Sequence, residues 1–488
     1  IMDWLADKWI FLLMFIGYTA ILIRHAIEGN KKTKNVTDYF IGGRSLGGIT
    51  IGLSFFATYS STNSFIGFSG QAYSYGIGWL LVAPCAVVFS LMAWVIVAPK
   101  LRTFTEHLDS VTVPDFIGFR YGSNKARLIA ATIVIFSSFL YMTAVFKGAG
   151  NLLQSFLDMS YELAIFVVLI IVMLYTTIGG FISVAKTDAV QGIIMCFAAI
   201  ILFWGASSSS GGVTTMFDLD ITKDGANLLS WDTAMPFTVL LGVMMASTMK
   251  FMVEPRQLSR FYAISGDKSI ATGRIVSTAA FFVVYTLLVP IGLYAHRIIE
   301  TPLADSDMVV PTLLTNNAVF SPLLSSFLVL AMVAAAMSSL DSVLLVMAST
   351  FHRDIISIKK VERTKELHIR ATRMYVIVGA LITALIALRP PGGIVTLTSF
   401  SGSLYAACFL PAILLGLHWR RGNSFAVCSS MVAGAVVLFL WPFLPFSGSI
   451  HRVFPAMLLS TVLYLFFTQI RENTADERVD TLFAHSSS

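Results

Sequence analysis

Long apolar runs, separated by short polar stretches, recur from one end of the chain to the other. A hydrocarbon core about 30 Å thick is crossed by roughly 20 helical residues. By that measure the pattern predicts thirteen spans: residues 5–26, 47–73, 78–98, 128–153, 163–178, 181–206, 236–253, 273–296, 321–350, 374–388, 394–417, 424–440 and 455–468. The runs are too long for barrel strands and lack period-two alternation. The chain therefore reads as an all-α integral membrane protein of one domain, residues 1–470, with a tail at 471–488.

Composition agrees with the pattern. Of 488 residues, 56% are hydrophobic and 12% charged, with a mean hydropathy of +0.79, which excludes a water-soluble fold of this size. Cys85, Cys196, Cys408 and Cys428 all fall inside apolar runs without a CxxC pair, so neither a disulfide framework nor a thiolate metal site is expected. No cleavable leader is evident. The net charge of +6 is informative as topology rather than as a nucleic-acid footprint. With the N-terminus outside, twenty-six of the 33 Lys and Arg fall on the inner side, among them Arg127, Arg256 and Arg260. Five fall outside, and Lys147 and Lys250 lie within spans. An odd number of spans then puts the C-terminus in the cytoplasm. The longest outer loop, residues 207–231 with Asp218, Asp220 and Asp224, is too short for a core, and the charged tail reads as a disordered end or a linker.

Function is sought where apolar spans tolerate polar groups. The second span reads LSFFATYSSTNSFIGFSGQAYSYG from Leu53, a density of hydroxyls that suits either a close helix crossing or an unwound segment whose carbonyls line a cavity. In the ninth span, AAAMSSLDS sets Ser338 and Ser342 one turn apart, with Ser339 and Asp341 beside them. These are hard oxygen donors suited to a hard cation, or else serines bonded back to their own helix. Asp188, in VAKTDAVQG after the Gly179–Gly180 pair, is either a cation ligand or an interfacial anion. Lys147 either clamps a solute carboxylate or snorkels to the headgroups, and Lys250 is expected to pair with Glu254 four residues on.

The segments DYFIGGRSLGG at Asp38, FFATYSS, VPDFIGFRY near Val113, MSYELA at Met159, YTTIGGFISVAKTDAVQG at Tyr175, EPRQLSRF at Glu254 and AAAMSSLDS together resemble the sodium/solute symporter family, nearest in pattern to its bacterial proline permease branch. That resemblance implies a leucine-transporter-like core, a five-plus-five inverted repeat at about 47–206 and 236–417, with one helix before it and two after. It implies a sodium site at Ala57, Ser60, Ala335, Ser338 and Ser339, and a second sodium position at Asp188, Ser338, Asp341 and Ser342. The solute would lie against the broken second span, at Thr58, Tyr59, Ser61, Thr62 and Ser64, with Tyr141 and Lys147 opposite. The expected function is sodium-coupled import of a small organic solute, an amino acid such as proline or an organic carboxylate, by alternating access across a bacterial inner membrane. Expected partners are that solute, Na+ and membrane lipid, with no nucleic acid; nothing in the sequence speaks to oligomeric state. No nucleophile triad, phosphate loop or metal-hydrolase helix is present, so no enzyme is expected. The alternative is a solute-sensing receptor of the same fold that signals through a cytoplasmic partner or a kinase region beyond Ser488.

Overall fold

A computed structural model describes residues 2–33, 36–218, 222–223, 226–231, 235–359, 365–470 and 477–485. Eleven helices among the described residues are long and apolar enough to cross a membrane. The chain begins with α1 (Met2–Lys32) and then enters the polar-rich second span, which is not one helix. α2 (Gly48–Tyr59) stops after 12 residues because Ser60 turns to φ −74°, ψ 92°. The chain resumes in a π-type turn, Asn63–Gly67, and α3 (Phe68–Tyr75). Serine and threonine at 60–62 offer side-chain oxygens that compete with the helix ladder, which is why the run yields here and not in its apolar first half.

The third and fourth spans are α4 (Val82–Met92), extended through a π-type turn into α5 (Ala98–His107), and α7 (Asn124–Leu157); the VPDFIGFR segment between them is the short helix α6 (Val113–Arg120). The fifth and sixth expected spans run together as α8 (Tyr161–Ser209), bent at Gly180. There φ is 61° and ψ −170°, a conformation that only glycine adopts without strain.

The seventh span is also interrupted. α9 (Phe237–Thr248) tightens into a 3-10 turn, Met249–Met252, and the chain restarts as α10 (Pro255–Ala263). Pro255 explains the position of the break. It disfavours helical geometry at the residue before it, and Glu254 sits extended at φ −75°, ψ 126°, while proline itself is well suited to the first helical turn. Beyond it come α11 (Asp267–Leu288), α12 (Pro322–Thr350), α13 (Lys365–Ala387), α14 (Ile394–Leu410), α15 (Ser424–Leu440) and α16 (Val453–Ile470). Outside the helices, residues 222–223 and 226–227 form a two-residue antiparallel pair in the longest loop.

α12 is the central post of the bundle. It packs against α2, α7, α8 and α13 and is buried on every side, from Ser325 through Thr350 with few exceptions. Peripheral helices instead turn large apolar side chains outward, including Trp204, Ile275, Leu385 and Leu458, each about two-thirds exposed, as lipid contact requires.

Two expectations change. Arg256 and Arg260, counted with the inner loops, are each 1% exposed within the bundle, because α10 folds back into it. The tail is not wholly irregular: Glu477–His485 is helical and buries Phe483, whose ring meets Phe104 edge-on at 5.2 Å. Residues 471–476 and 486–488, together with Asp220 and Asp224, lie outside the described residues.

Candidate ion and solute site

Where α2 ends at Tyr59, the carbonyls of its last turn lose their usual amide donors. Two of them face the serines of α12. Ser338 Oγ donates to Ala57 O at 2.6 Å, and Ser339 Oγ donates to Thr58 O at 3.0 Å. Ser60 and Ala335 are fully buried, the first at the break itself and the second one turn before Ser339 on α12. Thr58 Oγ1 is buried with no hydrogen-bond partner among the described residues. The contact is thus a cluster of neutral carbonyl and hydroxyl oxygens drawn from an interrupted helix and a continuous one. Such donors suit a hard monovalent cation, which takes oxygen lone pairs without needing a carboxylate.

The second group of expected ligands is also brought together, but around a guanidinium. Arg260 Nη2 lies 2.5 Å from Asp188 Oδ2 and donates to Ser342 Oγ at 2.6 Å. Its Nε donates to Ser54 Oγ at 3.1 Å, and Ser54 Oγ in turn donates to Asp188 Oδ2 at 2.7 Å. Ser342 Oγ is 3.2 Å from Asp341 Oδ1. Asp341 is fully buried. A cation tethered to the chain therefore sits between Asp188 and Ser342, where the sequence suggested a free one. The residue that supplies it, Arg260, follows the α9–α10 break, which the apolar pattern of the seventh span does not mark.

The residues expected to line a solute pocket divide into two groups. Tyr141 Oη lies 3.5 Å from Ser339 Oγ and so borders the oxygen cluster, whereas Tyr59, the last residue of α2, turns its hydroxyl to Ser247 O on α9. Ser61 is engaged locally, accepting from Asn63 N at 3.1 Å, Thr62 faces Val145 O at 3.5 Å, and Ser64 Oγ is 2.6 Å from Tyr285 Oη. Lys147 is not opposite this group. Its Nζ lies 2.7 Å from Asp307 Oδ2 and 3.5 Å from Asp305 Oδ2, and Asp307 also accepts the Ile394 amide at 3.1 Å. The long side chain finds its counterion within the protein, at the end of α7, and neither of the two readings given from sequence describes it.

The expected pair of Lys250 and Glu254 is also corrected. Four-residue spacing brings side chains together only on an unbroken α-helix, and here the 3-10 turn and extended Glu254 intervene. Glu254 pairs with Arg256 instead, at 2.6 Å from Nε and 3.3 Å from Nη2. Arg256 Nη1 donates to Thr58 O at 2.7 Å, and its guanidinium carbon lies 3.8 Å from the centre of the Tyr141 ring. Lys250 Nζ rests over the rings of Tyr59, at 4.9 Å, and Tyr141, at 5.1 Å.

At one end of the bundle, below these groups, Arg127 bridges Asp115 at 2.9 Å and Asp354 at 2.7 Å, while Thr112 Oγ1 donates to Asp354 at 2.7 Å. A water-sized cleft of ≈ 10 Å³, lined in part by Thr112, Ser259, Arg260 and Ser342, lies between that network and the centre.

The profile of the sodium:solute symporter family matches residues 39–434. An osmoregulated proline transporter of Bacillus subtilis is 30% identical over 91% of this chain and 92% of its own length. A sodium/pantothenate symporter of Haemophilus influenzae is 28% identical over 92% of this chain and 93% of its own. In fold, the chain is similar to a Na+-coupled sialic acid symporter solved in a substrate-bound outward-open state, with a TM-score of 0.79 and 17% identity over 95% of this chain and 98% of that one. A bundle that breaks two of its spans and gathers backbone and serine oxygens at one of the breaks is thus matched along nearly its full length, and the chain belongs to the sodium:solute symporter family.

Proposed function

We propose that this sodium-coupled symporter moves a small organic solute bearing a carboxylate, an amino acid such as proline or an organic acid, through the centre of the bundle. The observation that carries the reading is the contact between the broken end of α2 and α12, where Ser338 and Ser339 meet the Ala57 and Thr58 carbonyls. Sodium there bridges two elements that must part when the site opens, so its binding favours one arrangement of α2 against α12. The first sodium site comprises Ala57, Ser60, Ala335, Ser338 and Ser339. The solute occupies the adjoining space bordered by Thr58, Tyr59 and Tyr141, and each ligand tightens the other by the same factor.

α2 and α9 open the two halves of the inverted repeat, about 47–206 and 236–417. Interruptions at corresponding positions of such halves mark the binding region. The protein sits in a bacterial inner membrane with its N-terminus outside, so the Arg127 network closes the cytoplasmic route and the Lys147–Asp307 pair the outer one. The second cation position, expected at Asp188, Ser338, Asp341 and Ser342, is served by Arg260 through Asp188 and Ser342, which makes one sodium per solute the expected stoichiometry.

Uptake into proteoliposomes of labelled proline, other amino acids, short carboxylates, pantothenate and sugars, with and without an inward sodium gradient, tests the reading. Sodium-driven accumulation of a carboxylate-bearing compound is the expected result. Saturable binding without accumulation favours the receptor alternative, and accumulation of a neutral sugar alone overturns the carboxylate assignment.

A further inference from the structure

Lys250 is 1% exposed and lies in the 3-10 turn that interrupts the seventh span; its backbone carbonyl accepts from the Val253 and Glu254 amides, but its ammonium makes no hydrogen bond or ion pair among the described residues. Its place is built. Gly402 of α14 lets the lysine stem pass: a Cβ there would stand 2.1 Å from the Ala246 carbonyl oxygen and 3.2 Å from Lys250 Cδ. The ammonium is then held over the faces of Tyr59 and Tyr141, and Tyr141 Oη in turn lies 3.5 Å from Ser339 Oγ of the ion cluster. Glu254, four residues on, is already engaged by Arg256 through two hydrogen bonds. The group formed by Lys250, Arg256 and Glu254 therefore carries one positive charge in excess. A buried, unpaired charge is costly and persists where a ligand supplies its counterion.

Resting on the symport reading above, we infer that Lys250 is the anion-recognising residue of the solute site and that the preferred solute is a singly charged monocarboxylate with a small apolar body. A single excess charge is balanced by a monoanion. A zwitterion leaves it uncompensated, a neutral solute does nothing for it, and a dianion overshoots. The carboxylate accepts from Lys250 Nζ, and the apolar body lies along the aromatic wall of Tyr59 and Phe251, whose ring centres are 4.1 Å apart. Glu254, locked by Arg256, offers nothing to a solute ammonium, so an α-amino group gains no ionic partner there.

Binding to the full-length purified protein in sodium-containing buffer tests this directly, using two matched trios: cyclopentanecarboxylate, L-proline and cyclopentanecarboxamide, then propionate, L-alanine and propionamide. The acid is expected to bind more tightly than its amide by roughly 10- to 100-fold, the range for a hydrogen bond to a charged group, and more tightly than the amino acid. Lys250→Met should abolish the acid-over-amide ratio, and Lys250→Arg should retain most of it. Should Lys250→Met fail to fold, the wild-type ratios and the arginine variant still decide. An amide or amino acid that binds as well as the acid, a Lys250→Met protein that keeps the acid preference, or the absence of acid-selective binding in both trios overturns the inference. Acid-selective binding that depends on Lys250 but never leads to sodium-driven accumulation leaves this inference standing and removes the symport reading beneath it.

Discussion

Lys147 and Lys250 are both lysines on apolar spans, and from sequence they look alike. Lys147, on α7, has Asp307 at 2.7 Å and Asp305 at 3.5 Å, so its charge is answered by two carboxylates within the chain, and Asp307 is itself held by the Ile394 amide at the start of α14. Among the described residues the Lys250 ammonium meets aromatic faces and no carboxylate bond, because the carboxylate nearest to it in sequence belongs to Arg256. A charge inside the membrane is therefore not a binding site in itself. Where the fold supplies the counterion, the charge ties elements together; where it withholds one, the charge is left for a ligand.

Substitutions should separate the two kinds of cation by the sign and size of their effect on stability. The largest loss is expected for Arg260→Met, which strips the partner from fully buried Asp188. Breaking one side of a buried pair costs about 3–5 kcal/mol, readable as a drop in thermal unfolding temperature in detergent. Lys147→Met should cost less, about 2–3 kcal/mol, since its side chain is 13% exposed and Asp305 is open to water. Adding Asp307→Asn should recover much of that loss, and an unchanged melting temperature in Lys147→Met alone would show that the pair ties nothing.

Ser338→Ala with Ser339→Ala comes next. Each serine makes one hydrogen bond to a carbonyl of α2, worth about 1 kcal/mol in stability. The sodium concentration for half-maximal stabilisation or transport should rise by roughly tenfold or more, while the yield of folded protein changes little. Collapse of expression with normal sodium dependence in the remaining protein would make those hydroxyls helix glue rather than ligands. The smallest effect, and the only one of opposite sign, is expected for Lys250→Met: removing an unanswered buried charge should leave stability unchanged or raise it by about 1 kcal/mol. A marked fall there would place Lys250 with Lys147 and erase the contrast.

The helical membrane fold was legible because apolar periodicity and length are local properties, and the pattern of serines at 338, 339 and 342 is visible without any structure. The thirteen expected spans overlie eleven long helices and one short one, because the spans expected at 163–178 and 181–206 join across the kink at Gly180, the glycine pair at which the sequence divides them. Among expected ligands, Ser338 meets the Ala57 carbonyl directly, while Asp188 and Ser342 meet through Arg260. Arg260 and Arg256 were missed, although the signal for them exists. Glu254–Pro255 disfavours helix at residue 254 and makes a break there the better reading, and a break at that depth turns the basic residues after it into interior groups.

What the sequence determined by itself follows from short-range physics: how many residues cross the membrane as helix, where hydroxyls crowd an otherwise apolar run, and which proline starts a new turn. Pairing of charges belongs to another range. Asp307 is 160 residues from Lys147, and Asp188 is 72 from Arg260. No spacing rule connects such partners, because their encounter depends on how helices pack around α12. The four-residue rule that did apply to Lys250 and Glu254 failed when the helix between them tightened and ended. Tertiary structure alone decided which buried cation has its counterion in the chain and which must wait for one from outside.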